Sequence, residues 1–518
     1  MTDTDQLSSV AQAARRAYSH ILAGGTGAHW WTAVVLTASS ERQARAYENE
    51  LAQRRAQGLL PEGPAFLVAP DPPGPRIGSG GATIHALQRL AAHLGAARAD
   101  ERWWRRQRVL VLHSGGDSRR LPQYSPSGKI FSPLPVRGPG GSASTIFDET
   151  LALSTLWAER VPAGAVAGSG DVLLVFDPAK LHWDRPGVSG VGLLQPAEVG
   201  AQHGVYVLEP GGRVLSFLQK PPLADSRNAG ALTADGRVAV DTGLLCFDPR
   251  STARLCRIGM ADAREPLDLY YHLPGVLTRQ VRPGPEADPP LRELDKLFAG
   301  TPFHCDQVEG EFTHIGTTSL FRRYLTEETD FARLYATHQR LGLVAPEGVR
   351  SHGVIIDSAV DGVTIGPRAV VLESILEGPG TVGAGAIVHG LAEVQTAGLN
   401  VPPDVVLHQV PVRGMQGRPA VVTRVYGVED DPKRRPAHWL GRPIEETLAA
   451  LRIRPEEVWP GVPEQERTLW NASLFPLAQA GESLRAALWL LGQPNDGEAR
   501  FDLRRWRRLP RASLASKI

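Results

Sequence analysis

Along the first two thirds of the chain, short unbroken apolar runs alternate with longer stretches whose apolar residues recur at helical spacing. Residues 8 to 23 read as a helix, and Trp31 to Ala38 as a first strand. Ser40 then stands where it can cap a helix over Glu41 to Ala56, with Glu41 and Gln43 in its first turn. Ile84 to Leu94 is helical. Val109 to Leu112, apolar throughout and rich in β-branched residues, reads as a buried strand of a parallel sheet. Thr145 to Glu159 continues as helix, Asp171 to Asp177 as a strand with a carboxylate at each end, Val214 to Pro221 as a strand ending in Lys220, and Val238 to Phe247 as a strand interrupted by Asp241-Thr242-Gly243. This alternation predicts an α/β domain with a mixed, mostly parallel sheet over residues 1–345. A connecting helix, Leu320 to Leu341, is expected at its end.

The period then changes. Val363, Ala369, Ile375, Thr381 and Ile387 recur every six residues, as do Val370, Leu376, Val382 and Val388. Hexads with glycines at their corners predict a β-helix over residues 346–425, with Val354-Ile355-Ile356 as an added coil. Residues 426–518 mix helical patterns with Trp439, Trp459, Trp470 and Trp489, which suit packing, and the basic tail from Arg500 to Lys517 reads as a solvated helix face.

Composition narrows the function classes. With 518 residues the chain exceeds one core, and a net charge of +1 gives no reason to expect nucleic acid or a membrane surface as a partner. No run approaches the about 20 apolar residues of a membrane span, and Met1 to Gln12 lacks signal-peptide character, so a cytoplasmic protein is expected. Cys246, Cys256 and Cys305 show neither metal-ligand spacing nor an even disulfide framework.

The candidate chemistry gathers after the Val109 strand. Gly115 and Gly116 allow close approach of a ligand to the backbone, and Arg119, Arg120 and Lys129 follow as cations suited to a nucleoside triphosphate. Gly78-Ser79-Gly80-Gly81 opens a helix and forms a second candidate phosphate or base-binding turn. Asp171, at the edge of a strand, suits Mg²⁺ shared with phosphate oxygens. Gly243 inside its strand marks close approach of a ligand. His314 lies beside Gly316, where a lone histidine is more often structural than catalytic. His389 is the one nearby candidate base in the hexad region, which is therefore expected to serve packing or homo-oligomer formation. No kinase ATP loop is present.

In order, these segments resemble the nucleotidyltransferases that join a sugar 1-phosphate to a nucleoside triphosphate and share a Rossmann-like domain. Gly115, Gly116, Arg120, Leu121 and Lys129 match their signature, and Ser118 stands where a third glycine is usual. Where that superfamily often has aspartate before Gly-Thr, this chain has His314, which leaves the second metal ligand open. A narrower likeness is carried by Arg76 to Thr83, His113 to Gly116 with Arg120 to Pro122, Gly128 to Phe131, Phe312 to Thr317, Val425 to Val428 and Leu469 to Pro476. These resemble the L-fucose-1-phosphate guanylyltransferase family, which includes the pyrophosphorylase half of bifunctional L-fucokinase/GDP-fucose pyrophosphorylases.

The resemblance implies GTP plus L-fucose 1-phosphate giving GDP-L-fucose and pyrophosphate, with no kinase domain in this chain. Arg120 and Lys129 would hold the triphosphate, Asp171 the Mg²⁺ and Lys220 the incoming phosphate. The glycine turns would pack on phosphates and base, while Asp241, Thr242, Gly243 and His314 would line the sugar side. Two alternatives stand beside this reading: a pyrophosphorylase for another sugar 1-phosphate or base, and a non-catalytic scaffold that binds sugar nucleotides.

Overall fold

The computed structural model describes residues 3–25, 30–96, 98–342, 351–392, 396–412, 420–493 and 501–516. By contacts the chain divides into two compact units, one of Met1–Gly116 with Ile146–His314, the other of Asp117–Thr145 with Ile315–Ile518.

The first unit is built on a nine-stranded mixed sheet. Its parallel block places Ala33–Ala38 between Ala65–Pro70 and Arg108–His113, with Gly164–Ser169 beyond. Ala33–Ala38 is buried at every position, as its lack of polar alternation predicts for a strand covered on both faces. Val35, Val109 and Val111 pack with Ile84, Leu87 and Leu90 of the helix Gly78–His93 in the main core. Ser40 caps Glu41–Ala56 as expected, accepting from the Gln43 amide at 3.3 Å.

Past Gly164–Ser169 the sheet turns mostly antiparallel, with Phe303–Val308 parallel to Val188–Pro196. Arg237–Phe247 pairs with that strand, with Val188–Pro196 and with Gly204–Leu208. Its register shifts between Asp241 and Leu245, so the Asp241-Thr242-Gly243 interruption is a bulge, with Gly243 at φ +70°. Val172–Phe176 leaves the main sheet and pairs antiparallel with Gly310–His314, which sets His314 opposite Val172.

In the second unit the single connecting helix expected from Leu320 to Leu341 is corrected to two, Thr318–Thr326 and Asp330–Tyr335, followed by the strand Arg340–Leu341. The break has a local cause. Thr329 is extended and its hydroxyl caps the second helix, accepting from the Ala332 amide at 3.0 Å.

Beyond the helices the strands form two parallel ladders. One stacks Val354 on Val370, Val370 on Ile387, and Ile387 on Val406; the other pairs Ala359 with Ile375 and Thr381 with Asn400. Of the hexad positions, Val370, Leu376, Val382 and Val388 are all buried, as are Val363, Ala369 and Ile387. Ile375 is 42% exposed, and Thr381 is exposed too. Within Ile375–Val382 the side chains alternate faces, so burying Leu376 turns Ile375 outward. Val405–Val412 then continues antiparallel into Ala420–Gly427 and Phe475–Ala478.

Trp439 and Trp459 are fully buried, and their indole N–H groups donate to Val425 O at 2.8 Å and Thr468 O at 3.0 Å, so both pack as core. The expected basic tail yields one short helix, Leu503–Arg508, and its ends at Arg500 and Lys517 lie outside the described residues. Among the described residues no helix is long and apolar enough to cross a membrane.

Candidate active site

In the first unit the Arg108–His113 strand ends in the turn Ser114-Gly115-Gly116, which is pinned from several sides. Ser114 Oγ donates to Thr37 O at 2.7 Å, and Tyr47 OH donates to Ser114 O at 2.7 Å. Gln43 Nε2 donates to Gly116 O at 2.9 Å, and the Gly115 amide to Thr37 Oγ1 at 3.3 Å. A Cβ on Gly115 would lie 3.2 Å from the Ala38–Ser39 backbone, whereas one on Gly116 would meet nothing within 4 Å. Gly115 is thus tightly packed against that backbone, and Gly116 presents an open face.

The second glycine turn is engaged differently from the phosphate cradle its sequence suggests. Gly78 has φ +77°, and a Cβ there would come 2.4 Å from Leu267 O. The Gly80 and Gly81 amides donate to that same carbonyl at 2.8 and 3.4 Å, so neither is directed at a ligand. Ser79 Oγ accepts from the Leu269 amide at 2.8 Å. These glycines let the 267–269 segment lie directly on the helix start.

A hydrogen-bonded chain joins the two turns. Thr83 Oγ1 donates to Ser79 O at 2.8 Å, which leaves it to accept from His113 Nε2 at 2.7 Å. His113 Nδ1 must then be the unprotonated nitrogen, and it accepts from Tyr270 OH at 2.6 Å. Burial pushes the His113 pKa down to about 4, consistent with this neutral form. The Tyr270 ring also covers Gly243, where an added Cβ would lie 3.5 Å from it.

Around Tyr270 lie three carboxylates. Burial raises its hydroxyl pKa well above the usual value, and Asp241, Asp268 and Asp171 push it the same way. Asp241 Oδ1 accepts from Tyr206 OH at 2.7 Å and from the Gly243 amide at 3.0 Å, bonds that the bulge makes possible. Its carboxyl pKa is raised, by burial first and with Asp268 adding, while these two hydrogen bonds oppose the shift. Thr242 is buried and its hydroxyl donates across the sheet to Val191 O at 2.8 Å, a bond that holds the strand.

Asp171 is partly exposed. Its Oδ1 accepts from Ser169 Oγ at 2.8 Å, and its Oδ2 lies 3.3 Å from His314 Nε2. His203, whose pKa is lowered by burial and then by His314 and Lys220, shares their neighbourhood and sets its ring edge-on to Phe312. Lys220 is exposed, at φ +46°, and its amide donates to His203 O at 2.9 Å. A lysine held in the left-handed region is a strained position of the kind that collects at functional sites.

The second unit carries Arg120 and Lys129. Ser118, at the position where a third glycine is usual, has φ +51°, the conformation in which glycine costs least. Arg119 lies over the Trp470 ring at 5.9 Å and pairs with Asp117 at 3.1 Å. The Arg120 side chain is exposed while its carbonyl accepts from the Thr318 amide at 2.9 Å, and Lys129 Nζ donates to Gly316 O at 3.3 Å.

Among the described residues, no group of three or more His, Cys, Asp or Glu side chains is placed to hold a metal ion. Asp171 with His314 fits a more modest role. Mg²⁺ commonly takes one or two carboxylates, keeps several waters and draws its remaining oxygens from substrate phosphate. The pair therefore suits a divalent ion brought with a polyphosphate, not a closed protein cage.

Tyr270, His203 and Tyr206 carry no mark in the sequence, because nothing local shows that a tyrosine or histidine will meet a strand far away in the chain. His113 lies in the His113 to Gly116 motif, which by itself gives it no role.

The profile of the fucose pyrophosphorylase domain matches residues 101–275 and 290–480. A bifunctional fucokinase/GDP-fucose pyrophosphorylase of Arabidopsis thaliana is 29% identical over 93% of this chain and 50% of its own length. A fucose-1-phosphate guanylyltransferase of Mus musculus is 24% identical over 89% of this chain and 86% of its own. An L-fucokinase/L-fucose-1-P guanylyltransferase of Bacteroides fragilis is 25% identical over 83% and 44%. The chain thus spans about half the length of the Arabidopsis relative and less of the Bacteroides one. The matched segments contain both the Ser114-Gly115-Gly116 turn and the Asp171, Lys220 and Asp241 positions, and the chain belongs to the fucose pyrophosphorylase domain family.

Proposed function

We propose that this chain is a sugar-1-phosphate guanylyltransferase, joining L-fucose 1-phosphate to GTP to give GDP-L-fucose and pyrophosphate. The observation that carries the reading is the gathering of the Gly116 turn, the Asp171–His314 pair, Lys220 and the Asp241 bulge around Tyr270, inside a domain that the family profile matches. The names of the relatives supply the fucose and guanine assignments. A different sugar 1-phosphate or base is the second reading, since no residue described above selects either.

The acceptor oxygen of a sugar phosphate is already anionic, so no strong general base is needed. The oxygen attacks the α-phosphorus in line with the departing pyrophosphate, and the protein contributes position and charge stabilisation. Lys220 meets the incoming phosphate, and Asp241 accepts from sugar hydroxyls. Gly116 offers its open face to the nucleotide. Arg120 and Lys129 take the triphosphate, an assignment that rests on the signature they belong to. A divalent ion, Mg²⁺ in this proposal, would be held by Asp171 with His314 alongside, and would neutralise phosphate charge when bound.

The division into a nucleotidyltransferase part over 1–345, a β-helix over 346–425 and a C-terminal packing region over 426–518 belongs to the same proposal. The stacked parallel ladders support the β-helix, and homo-oligomer formation through it and a cytoplasmic location complete the reading. The test is pyrophosphate release from each of the four nucleoside triphosphates against a panel of sugar 1-phosphates, with and without chelator. Release with GTP and L-fucose 1-phosphate above all other pairs is expected. Nucleotide binding with no release for any pair would turn the assignment toward a scaffold.

A further inference from the structure

Within the second unit, the segment between Arg120 and Lys129 is anchored from an unexpected direction. Gln123 is 1% exposed and Tyr124 2%. The Gln123 Oε1 accepts from Tyr426 OH at 2.8 Å and from Thr318 Oγ1 at 3.3 Å. Arg424 reaches Ser125 Oγ through Nη1 at 3.2 Å and Ser516 O through Nη2 at 3.0 Å, bridging that segment to the chain's far end. The Tyr124 ring meets Phe321 edge-on at 5.5 Å and lies 5.4 Å from His389, which itself stacks on His408 at 4.7 Å. His408 is the register partner of Arg424 across the Val405–Val412 and Ala420–Gly427 strands.

Arg424 is the telling member. It is 0% exposed, and among the described residues no carboxylate pairs with it. Its desolvation is severe enough to push its pKa down to about 10. A buried cation without a counter-charge costs stability, and an apolar residue of similar size would cost less. What the guanidinium does gain is geometric: a planar fork that fixes two chain segments at once. Tyr426 adds a hydroxyl aimed at a side chain two residues nearer Arg120.

We propose that Arg424 and Tyr426 are positioning residues that hold the Leu121–Ser125 turn and, through it, set the placement of Arg120 and Lys129. This rests on the reading of those two cations as triphosphate ligands. It gives the strands Val405–Val412 and Ala420–Gly427 a role toward these two cations beyond packing.

The test uses the full chain with Tyr426→Phe, which removes one hydroxyl, and Arg424→Met, which removes the fork. Amides of residues 118–131 are expected to exchange with solvent about tenfold faster in Tyr426→Phe, with those of Val405–Val412 unchanged. The kcat/KM for the triphosphate should fall about tenfold, through a raised KM as Arg120 shifts and a lowered kcat as Lys129 shifts, while KM for the sugar phosphate stays put. Loop amides at wild-type rates in both variants would overturn the proposal. So would a loss confined to the fraction of active protein, with both KM values unmoved, which is what a purely structural role gives. If the wild-type chain releases no pyrophosphate with any triphosphate, the functional reading fails, and the exchange comparison still decides the positioning claim.

Discussion

The hydroxyl of Tyr270 donates to Nδ1 of His113 at 2.6 Å, joining residues 157 positions apart in the chain. Through Thr83 the same histidine reaches the Gly78 turn, so one neutral imidazole ties together the elements placed around the candidate site.

That imidazole makes stability depend on pH. Its folded pKa of about 4 lies below the ordinary 6.5, so between those values the unfolded chain binds the proton that the fold refuses. Its contribution should be complete above pH 6.5 and fade as pH falls toward 4. Urea midpoints measured across that window should drop for the wild type and drop less for His113→Gln. Parallel curves would remove His113 as the cause.

Asp171→Asn keeps the shape of the side chain and removes its charge. Turnover should fall roughly 10²-fold and the concentration of divalent ion needed for half-maximal rate should rise. Undiminished wild-type turnover in excess chelator would eliminate the metal role altogether.

The two lysines should separate kinetically. On the proposed reading Lys129 lies on the triphosphate, where charge redistributes during attack, so Lys129→Ala should lower kcat by roughly 10²- to 10³-fold. On the same reading Lys220 meets a phosphate that is charged before and during attack, so Lys220→Ala should raise KM for the sugar phosphate more than it lowers kcat. Steady-state kinetics on both variants, with circular dichroism to verify folding, decides it. A wild-type kcat for the first, or an unchanged KM for the second, would falsify that assignment.

Backbone conformation supplies a pair of opposite stability changes. Ser118 sits at φ +51°, so Ser118→Gly should relieve strain and stabilise by about 0.5 kcal/mol, after the extra freedom of glycine in the unfolded chain is counted. Gly78→Ala faces both φ +77° and the Leu267 carbonyl 2.4 Å from its new Cβ, and should destabilise by about 2 kcal/mol or more. Denaturant unfolding of each variant measures both. A destabilised Ser118→Gly would mean the serine side chain contributes more than its backbone costs.

The sequence by itself determined what depends on near neighbours. Continuous apolar runs marked the buried parallel strands, Ser40 marked a helix start, and the order of glycine, arginine and lysine carried the resemblance to the family. What only the tertiary structure decided depends on residues far apart meeting. Leu267 occupies the Gly80 and Gly81 amides that an isolated helix start would offer to an anion. Tyr206 and the register shift opposite Val188–Pro196 orient Asp241. The face that each ladder buries turns Ile375 and Thr381 outward although Val363, Ala369 and Ile387 of the same hexad series are inside. Spacing along the chain records periodicity and caps, because those are set within a few residues. It does not record which distant carbonyl or hydroxyl will meet a given side chain, since that is fixed only when the strands pair and the helices pack.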